Sequence, residues 1–448
     1  ARAAISHTAA LAGEADVWRA AFAQAGIVLA DSGLEMMDAA KALDWQPMPR
    51  GNRVGIVTNS GGTGVELTDL LAEQGLTVPE LSEDLRRRLA EALPTVGSAH
   101  NPVDVTTAWQ LFGELYPFAV DALARSGEVD VVVPVLLQRS AQSEAVAEGL
   151  LQVAAEIAAD GIEVPIYVCW VAPADARPNA DRLQAGRIPC FEWPARTARA
   201  VGLATRCGEV LDRLRPAPPF PARPAGRPSV APGLLEPVAA ADLLRAYGVE
   251  VAAQRLAEAP DEAAALAAEL GLPVVAKLVS PGVVHKSDVG GVRVGLAEPE
   301  DVRAAARELL AIDPAGAVLL QPQHPGVEVI VGGFRDPQFG PVVAVGLGGV
   351  LVEVLRDVAF RLAPVTEDEA LEALRSLRGR AVLEGTRGRQ GADLEALART
   401  VAAASRLLAA EPDVAELDLN PVLASPRGAV AVDIRVVGAG EVPAPTPA

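Results

Sequence analysis

The sequence predicts an α/β protein with a doubly wound parallel sheet, followed by a second region of mixed character. Three apolar runs, each followed by a helical pattern, predict buried strands: VGIVT at 54–58, VDVVVPVLL at 129–137 and VPIYVCW at 164–170. Buried strands that alternate with helices are typical of a parallel sheet covered on both faces. Half of the 448 residues are hydrophobic (50%), which is enough for more than one core.

A proline-rich stretch divides the chain into two parts. Seven prolines fall within RLRPAPPFPARPAGRPSVAPG at 213–233, without helical or strand periodicity. This composition is typical of an extended, semi-rigid spacer.

Before it, residues 16–43 show two helical patterns around a short apolar run, Ile27 to Leu29, which predicts a strand. QPMPRGNR at 46–53 ends that pattern.

The part after the spacer also alternates helices and strands, with a late run of strands around Gly-rich turns that favours an α+β architecture. The patterns predict helices at 236–247, 261–270, 366–378 and 391–410, and strands at 274–279, 317–321, 327–332, 341–346, 416–419 and 429–434.

The charge balance excludes some classes of partner. Lys plus Arg number 39 and Asp plus Glu 58, giving a net charge of −19, which disfavours a nucleic-acid backbone as partner. The apolar run at 129–137 is too short to cross a bilayer, and no signal-peptide pattern opens the sequence. Three cysteines are too few for a disulfide framework and too far apart for CxxC metal spacing. We therefore expect a cytoplasmic protein with neither nucleic-acid nor membrane partners.

Two short segments of the N-terminal part favour phosphate chemistry. NSGGTG at 59–64 follows a strand and opens a helix, so the amides of Gly61, Gly62 and Thr63 suit an anion. The alternative is an ordinary turn. His7 lies among small residues in ISHTAALAG, and an imidazole there is a candidate nucleophile toward phosphorus. The alternative is a solvated loop histidine. NPVD at 101–104 predicts only a turn.

The segment at 274–296 holds the densest set of functional residue types. Lys277 lies in a buried strand, where a lysine requires an anionic partner, and it suits nucleotide phosphates. His285 follows in the next loop, and Gly290 and Gly291 end it. Together they suit a loop that holds and exchanges a phosphoryl group. The alternative is a flexible polar hairpin.

A closing pair of strands brings oxygen ligands together. In ELDLNPVLA at 416–424, alternation places Asp418 and Asn420 on one face, and Asp433 follows from the second strand. Carboxylate and amide oxygens suit Mg²⁺ with nucleotide phosphates. The alternative is an edge hairpin with solvated acids. Glu328 and Glu353, inside apolar strand-like stretches, are further candidates for nucleotide or metal contacts.

The chain resembles the nucleoside-diphosphate-forming acyl-CoA synthetases, the ADP-forming acetate–CoA ligase type in the succinyl-CoA synthetase superfamily. The resemblance covers nearly the whole chain and follows the family's order. It is carried by SHTAALAG, VGIVTNSGGTGVELTD, NPVD, AKLVSPGVVHKSDVGGV, GVEVIVGGFRDPQFGPVVAVGLGG, EVLRDVAFRLAP, and ELDLNPV with VAVDIR.

The resemblance implies a domain plan. Residues 1–45 resemble the rear half of a first flavodoxin-like ligase domain, and 48–212 a second one. Residues 213–234 form the linker, 235–438 resemble an ATP-grasp domain, and 439–448 are a disordered tail. The family's CoA-binding domain and the front half of the first ligase domain are therefore expected to be missing from this chain.

The resemblance also implies roles. His7 matches the central phosphohistidine, which the helix opened by Gly61 and Gly62 faces. Lys277 matches the nucleotide lysine, and His285 the second histidine, which passes phosphate to ADP. The implied Mg²⁺ ligands are Asn420 and Asp433. One departure is Ala9, where the family usually has Gly, which crowds the His7 loop.

The implied reaction is acid + CoA + ATP ⇌ acyl-CoA + ADP + phosphate through phosphohistidines, with Mg²⁺ and ATP or ADP as cofactors and CoA as substrate. We expect a homo-oligomer, or complementation by a CoA-binding domain. One alternative is a non-catalytic ligand-sensing module of a protein-acetyltransferase-type relative, but the presence of both His7 and His285 favours catalysis. Another is an ATP-grasp ligase that joins a carboxylate directly to an amine, in which His7 and NSGGTG have no role.

Overall fold

The computed structural model describes residues 14–106, 108–137, 143–171, 177–214, 218–280, 290–349, 357–385 and 390–440. They form two compact units. The parallel-sheet unit comprises the described residues between 25 and 215, and the antiparallel-sheet unit those of 1–24 and 216–448. Helix α1 (Glu14–Gln24) therefore belongs to the antiparallel-sheet unit.

The parallel-sheet unit is a five-stranded sheet with helices on both faces. Its elements are α2 (Gly33–Trp45), β1 (Val54–Thr58), α3 (Gly61–Glu73), α4 (Glu83–Ala92), β2 (Val103–Asp104), a 3₁₀ turn at Trp109–Leu111, α5 (Phe112–Arg125), β3 (Val131–Leu137), α6 (Ser143–Ala159), β4 (Val168–Val171), α7 (Arg177–Ala185), β5 (Cys190–Phe191) and α8 (Pro194–Arg213). All strand pairs are parallel, in the order β2-β1-β3-β4-β5. This confirms the predicted doubly wound sheet.

The apolar strands explain why both faces of this sheet are covered. Along β3, Val131 and Val133 enter one core while Val132 and Leu136 enter the other. Every residue of β1 is buried. A strand that is apolar on both faces requires helices on both sides, and the following helices supply them.

Asn101 pairs with the part of β1 that lies beyond the short strand β2. Its Oδ1 accepts from the backbone N–H of Ile56 at 2.9 Å, and its Nδ2 donates to the carbonyls of Val54 at 2.9 Å and Pro79 at 3.1 Å. Strand β2 is only two residues long, so the amide side chain pairs the part of β1 that β2 does not reach. The NPVD segment is therefore more than a turn.

The predicted strand at Ile27 to Leu29 is wrong. These residues lie in no strand, and Ile27 and Leu29 are 48% and 45% exposed. Among the described residues no strand lies beside them. An isolated extended segment leaves its backbone groups without ladder partners, so apolar character alone does not make it a strand.

The antiparallel-sheet unit contains two sheets. Its elements after α1 are β6 (Gly233–Leu234), α9 (Pro237–Ala246), β7 (Arg255–Ala257), α10 (Pro260–Leu270), β8 (Val274–Val279), β9 (Val292–Leu296), α11 (Pro299–Ile312), β10 (Ala317–Pro322), β11 (Val327–Asp336), β12 (Gly340–Leu347), β13 (Val358–Leu362), α12 (Glu367–Ser376), α13 (Arg380–Glu384), α14 (Leu394–Ala410), β14 (Val414–Ser425), β15 (Gly428–Ala431) and β16 (Ile434–Gly438). One sheet has four strands in the order β7-β10-β8-β9. The other has seven strands in the order β13-β12-β11-β14-β16-β6, with β15 paired to β14.

Each of these sheets packs one face against helices. In β8, Val274, Ala276 and Leu278 enter a core with α10 and α11. In β14, Leu417 and Leu419 enter a larger core with α9, α12 and α14. Because side chains alternate along a strand, Lys277 and Asn420 lie on the opposite faces, away from these cores.

After α8 ends at Arg213, the described part of the proline-rich segment contains no helix or strand before β6, but it contacts the antiparallel-sheet unit. Arg227 pairs with the fully buried carboxylate of Glu411, and Arg223 lies 3.5 Å from it. Tyr247 donates its hydroxyl to the same carboxylate at 2.6 Å. Burial and this hydrogen bond raise the pKa of Tyr247 well above its ordinary value. Over these residues the segment is therefore anchored rather than a free spacer.

Within the described residues, no helix combines the length and the apolar character needed to cross a bilayer.

Replacing Asn101 by Asp tests the role of the amide in the parallel-sheet unit. A carboxylate cannot donate to Val54 and Pro79, whose carbonyls lose their side-chain donor. We expect the free energy of unfolding to fall by about 2–4 kcal/mol. Four of the five tryptophans lie in this unit, so urea unfolding followed by tryptophan fluorescence reports on it. Asn52→Asp, which removes one exposed hydrogen bond, is the control, and an equal loss in both variants contradicts the assignment.

Candidate functional site

A cleft of about 650 Å³ lies between the two sheets of the antiparallel-sheet unit. It is within the usual size range of small-molecule sites, roughly 300–1,000 Å³. Strands β8, β9 and β10 supply one wall, and β11, β14 and the connection between β15 and β16 supply the other. Four of the residues singled out in the sequence line it: Lys277, Glu328, Asn420 and Asp433.

Lys277 joins the two walls. Its side chain is on the cleft face of β8 and only 6% of the residue is exposed. Nζ donates a hydrogen bond to the carbonyl of Val432 at 2.7 Å and lies 3.8 Å from Oδ2 of Asp433. A buried ammonium group requires such partners because it has lost its hydration. The sequence-based expectation of an anionic partner at this lysine is met by Asp433.

Asn420 and Asp433 are held next to each other by backbone pairing. The Asn420 N–H donates to the Asp433 carbonyl at 3.0 Å, and Val432 N–H donates to Pro421 at 3.1 Å. Asp433 keeps 36% of its side chain exposed, so its carboxylate remains accessible from the cleft.

This pair fits Mg²⁺. An amide oxygen and a carboxylate are hard ligands, and Mg²⁺ usually takes one or two protein carboxylates with water and substrate phosphates completing the shell. Among the described residues, no group of three or more His, Cys, Asp and Glu side chains is arranged for a metal. The donor set therefore suits a magnesium ion that arrives with phosphates rather than a closed protein cage.

Glu328 is exposed on β11 and packs against a glycine turn. Its carbonyl accepts from Gly348 N–H at 2.7 Å. A Cβ at Gly349 would lie 2.8 Å from Oε2 of Glu328, and Gly349 has φ +65°. Only glycine fits this position without strain. The turn thus keeps the Glu328 carboxylate at the cleft, which also includes Gly349.

Gly290 and Gly291 are placed beside β8 rather than in the cleft lining. Gly290 has φ +65°, and the Gly291 carbonyl accepts from Leu278 N–H at 2.8 Å. They lead the chain into β9. His7, His285 and Glu353 lie outside the described residues.

The second predicted phosphate site is the start of α3 in the parallel-sheet unit. Ser60 caps this helix, and its Oγ accepts from Thr63 N–H at 3.4 Å. The first N–H groups of a helix have no partner inside the helix. Gly61 and Gly62, at these first positions, are both exposed.

Local packing does not require glycine there. A Cβ at Gly62 would meet nothing within 4 Å, and one at Gly61 would lie 3.6 Å from Oδ2 of Asp104, an ordinary contact. Alanine would stabilise the helix. The two glycines therefore have no structural reason in this unit and keep the amides open.

Sequence reasoning missed Gln321 and His324, which also line the cleft. Gln321 is 2% exposed, and its Nε2 donates to Gln254 at 3.3 Å. Gln321 Oε1 and His324 Nε2 are buried without a hydrogen-bond partner among the described residues. Buried polar atoms without a partner are uncommon in folded proteins. The segment QPQHPG carries no periodicity, so only the three-dimensional structure identifies these residues.

Comparison with known proteins places these observations in one family. The profile described as a succinyl-CoA ligase like flavodoxin domain matches residues 1–43. The Ligase-CoA domain profile matches 54–207, and the ATP-grasp domain profile matches 230–437. The fold is therefore a flavodoxin-like parallel sheet combined with an ATP-grasp domain.

Two curated relatives and one solved structure illustrate the similarity. The ADP-forming acetate–CoA ligase I of Archaeoglobus fulgidus is 35% identical over 459 residues, which cover 99% of this chain and 65% of that protein. The beta subunit of the ADP-forming acetate–CoA ligase I of Pyrococcus furiosus is 40% identical over 212 residues, 46% of this chain and 91% of the subunit. A solved acetyl-coenzyme A synthetase 1 of Ca. Korarchaeum cryptofilum, in complex with coenzyme A, Ca-AMPCP and HgCl⁺, is 43% identical, covers 46% of this chain and 94% of its own, and has a TM-score of 0.45.

The chain belongs to the family of ADP-forming acyl-CoA synthetases, as the sequence motifs indicated. It spans 65% of the length of the Archaeoglobus relative.

Replacing Lys277 by Met tests the cleft as a nucleotide site. Loss of the ammonium group removes a charge-assisted hydrogen bond to phosphate, so we expect affinity for Mg²⁺ with a non-hydrolysable ATP analogue to fall at least about tenfold. Isothermal titration calorimetry measures it, with circular dichroism to verify folding. Lys41→Met, in the parallel-sheet unit, should leave this affinity unchanged. Equal affinity of the Lys277→Met variant and the unchanged chain contradicts the assignment.

Proposed function

We propose that this chain carries the nucleotide and phosphoryl-transfer part of an ADP-forming acyl-CoA synthetase, acid + CoA + ATP ⇌ acyl-CoA + ADP + phosphate. The observation that carries the proposal is the cleft in which Lys277, Asn420 and Asp433 meet. These residues come from distant parts of the sequence and converge as a nucleotide site requires. The names of the relatives support the same reaction.

At the nucleotide, the residues of the cleft neutralise and hold phosphate. Lys277, fixed by Val432 and Asp433, supplies a cation to the phosphates. Asn420 and Asp433 would hold a Mg²⁺ ion through their side-chain oxygens. When bound, Mg²⁺ withdraws charge from the nucleotide phosphates and so favours displacement of the ADP oxygen.

The phosphoryl group then passes through two histidines. A ring nitrogen of neutral His285 attacks the γ-phosphorus of ATP, so a P–N bond forms as the P–O bond to ADP breaks. A ring nitrogen of His7 takes the group from His285, and one P–N bond replaces the other. The carboxylate of the acid attacks phosphorus on His7 to give an acyl phosphate. The CoA thiolate then displaces phosphate to give the thioester.

The start of α3 stabilises the phosphate carried by His7. The open amides of Gly61 and Gly62 and the positive end of the helix suit a dianionic phosphoryl group. Thr63, whose N–H bonds to Ser60, orders this turn.

We propose that a partner contributes to binding the acid and CoA, as the separate subunits of relatives suggest. We propose a CoA-binding domain, supplied by another polypeptide segment or subunit, with a homo-oligomer as the alternative arrangement. Exposed apolar side chains at Ile27, Leu29, Leu34, Met36 and Met37 support such a covering partner. We further propose a cytoplasmic location, which the free cysteines support, and neither nucleic-acid nor membrane partners.

Labelling with γ-phosphate-labelled ATP and Mg²⁺ tests the histidine relay without CoA. We expect acid-labile, base-stable label on the unchanged chain, because phosphohistidine is formed before any acyl group is needed. The label should vanish in His285→Ala. It should be lost only in part in His7→Ala, since His285 remains.

The matched control is His100→Ala, an exposed histidine outside both sites, which should label like the unchanged chain. If no label forms although ATP binds, the chain does not catalyse this relay alone, and the ligand-sensing alternative gains support. Label that survives His285→Ala contradicts the proposed order of transfer.

Replacing Gly62 by Ala separates function from folding. We expect the free energy of unfolding to stay the same or rise by up to about 1 kcal/mol. Transfer of label from His285 to His7 should slow by on the order of tenfold, because the methyl group crowds the open amides. Rapid-quench labelling measures the transfer. Gly33→Ala is the matched control and should leave the transfer rate unchanged. Gly33 also begins a capped helix, and a Cβ there would meet nothing within 4 Å. Equal transfer rates in the two variants would remove α3 from the mechanism.

A further inference from the structure

Helix α1 packs on the sheet that forms the nucleotide cleft. Val17 and Ala20 are buried in a small core with Val342, Ala344 and Phe360 of β12 and β13. Trp18 adds an edge-to-face contact with Phe339, with ring centroids 4.8 Å apart. The contact covers the face of the seven-stranded sheet opposite its main helical core.

Gln24, the last residue of α1, binds the open edge of this sheet. Strand β13 is the edge strand in the described sheet order. Leu362 donates its N–H to Oε1 of Gln24 at 2.6 Å, and its carbonyl accepts from Nε2 at 3.2 Å. One primary amide thus satisfies both outward groups of an edge residue, as a neighbouring strand would.

The two bonds give the helix a defined position. The apolar side chains of α1, including Trp18, provide attraction, and the two hydrogen bonds of Gln24 add a directional constraint. A donor and an acceptor on one side chain, bound to the N–H and carbonyl of a single residue, fix both position and orientation. Gln24 therefore acts as the fixing point of the helix.

This packing does not follow the domain match. Residues 1–43 match a flavodoxin domain profile, yet α1 belongs to the antiparallel-sheet unit, whereas residues 25–45 belong to the parallel-sheet unit. In the sequence, His7 comes seven residues before Glu14, where α1 begins. Seven residues of chain span at most about 25 Å. A docked α1 therefore limits how far His7 can be from the sheet that carries the nucleotide cleft.

We propose that α1 is a docking element that tethers the His7 segment to the antiparallel-sheet unit during phosphoryl transfer, with Gln24 as its positioning residue. The inference rests on the proposed function. Gln24 touches neither substrate nor reacting atoms, so it acts only on transfer between His285 and His7. It should not affect nucleotide binding or the first phosphorylation.

Gln24→Ala in the full 448-residue chain tests this role. Hydrogen exchange at the amide of Leu362 should become faster, since its acceptor is gone. The initial rate of labelling from γ-labelled ATP, measured with His7 also replaced by Ala, reports His285 alone and should not change. Transfer to His7 in the single variant should slow by roughly tenfold, the effect expected from losing two hydrogen bonds.

Two further variants make the result specific. Gln24→Glu keeps an acceptor for Leu362 N–H but places a carboxylate against the Leu362 carbonyl, so transfer should slow as well while the volume is unchanged. Gln338→Ala removes an exposed glutamine side chain from the turn between β11 and β12 and should behave like the unchanged chain.

Three results would overturn the inference. Faster exchange at Leu362 with unchanged transfer to His7 would make Gln24 purely structural. Equal loss of label at both histidines would place its effect on the nucleotide site. An unchanged rate of hydrogen exchange at the Leu362 amide would show that Gln24 does not form this hydrogen bond. Absence of any label on the unchanged chain is a different result, because it defeats the proposed function first and this inference with it.

Discussion

The hydrogen bond from Lys277 Nζ to the Val432 carbonyl joins the two sheets of the antiparallel-sheet unit. Each sheet packs its other face on its own helices, so the cleft lies between the two faces that the helices do not cover. A buried ammonium group cannot give up its partner without a large desolvation penalty. The same bond crosses the cleft and brings the lysine beside Asp433.

Primary amides complete sheet edges in both units. Asn101 pairs the part of β1 that β2 does not reach, and Gln24 pairs the outward groups of Leu362. In each case a side chain from a neighbouring segment replaces a strand that the sheet lacks. A single side chain thus satisfies the backbone groups at each of these edges. The segments that carry Asn101 and Gln24 contact the sheets without forming a strand of them.

Local periodicity predicted most of the strands and four residues that line the cleft, but not long-range pairing. The apolar runs identified β1, β3 and β8, and alternation placed Lys277 and Asn420 away from their cores. By contrast, Ile27 to Leu29 looked like a strand because periodicity does not show whether a neighbour exists. The pairing of Glu411 with Arg227, nearly two hundred residues earlier, and the orphan atoms of Gln321 and His324 depend on tertiary contacts alone. His7 and His285 lie outside the described residues, so their roles rest on sequence.

Asn101, which pairs with β1, and Asn420, a proposed metal ligand, share a sequence feature with a chemical consequence. Asn101 precedes Pro102, and Asn420 precedes Pro421. Spontaneous deamidation proceeds through a cyclic imide, which forms when the next backbone nitrogen attacks the side-chain amide. A proline nitrogen has no hydrogen to lose and cannot close that ring. Both amides are thereby protected from slow conversion to aspartate over the lifetime of the protein.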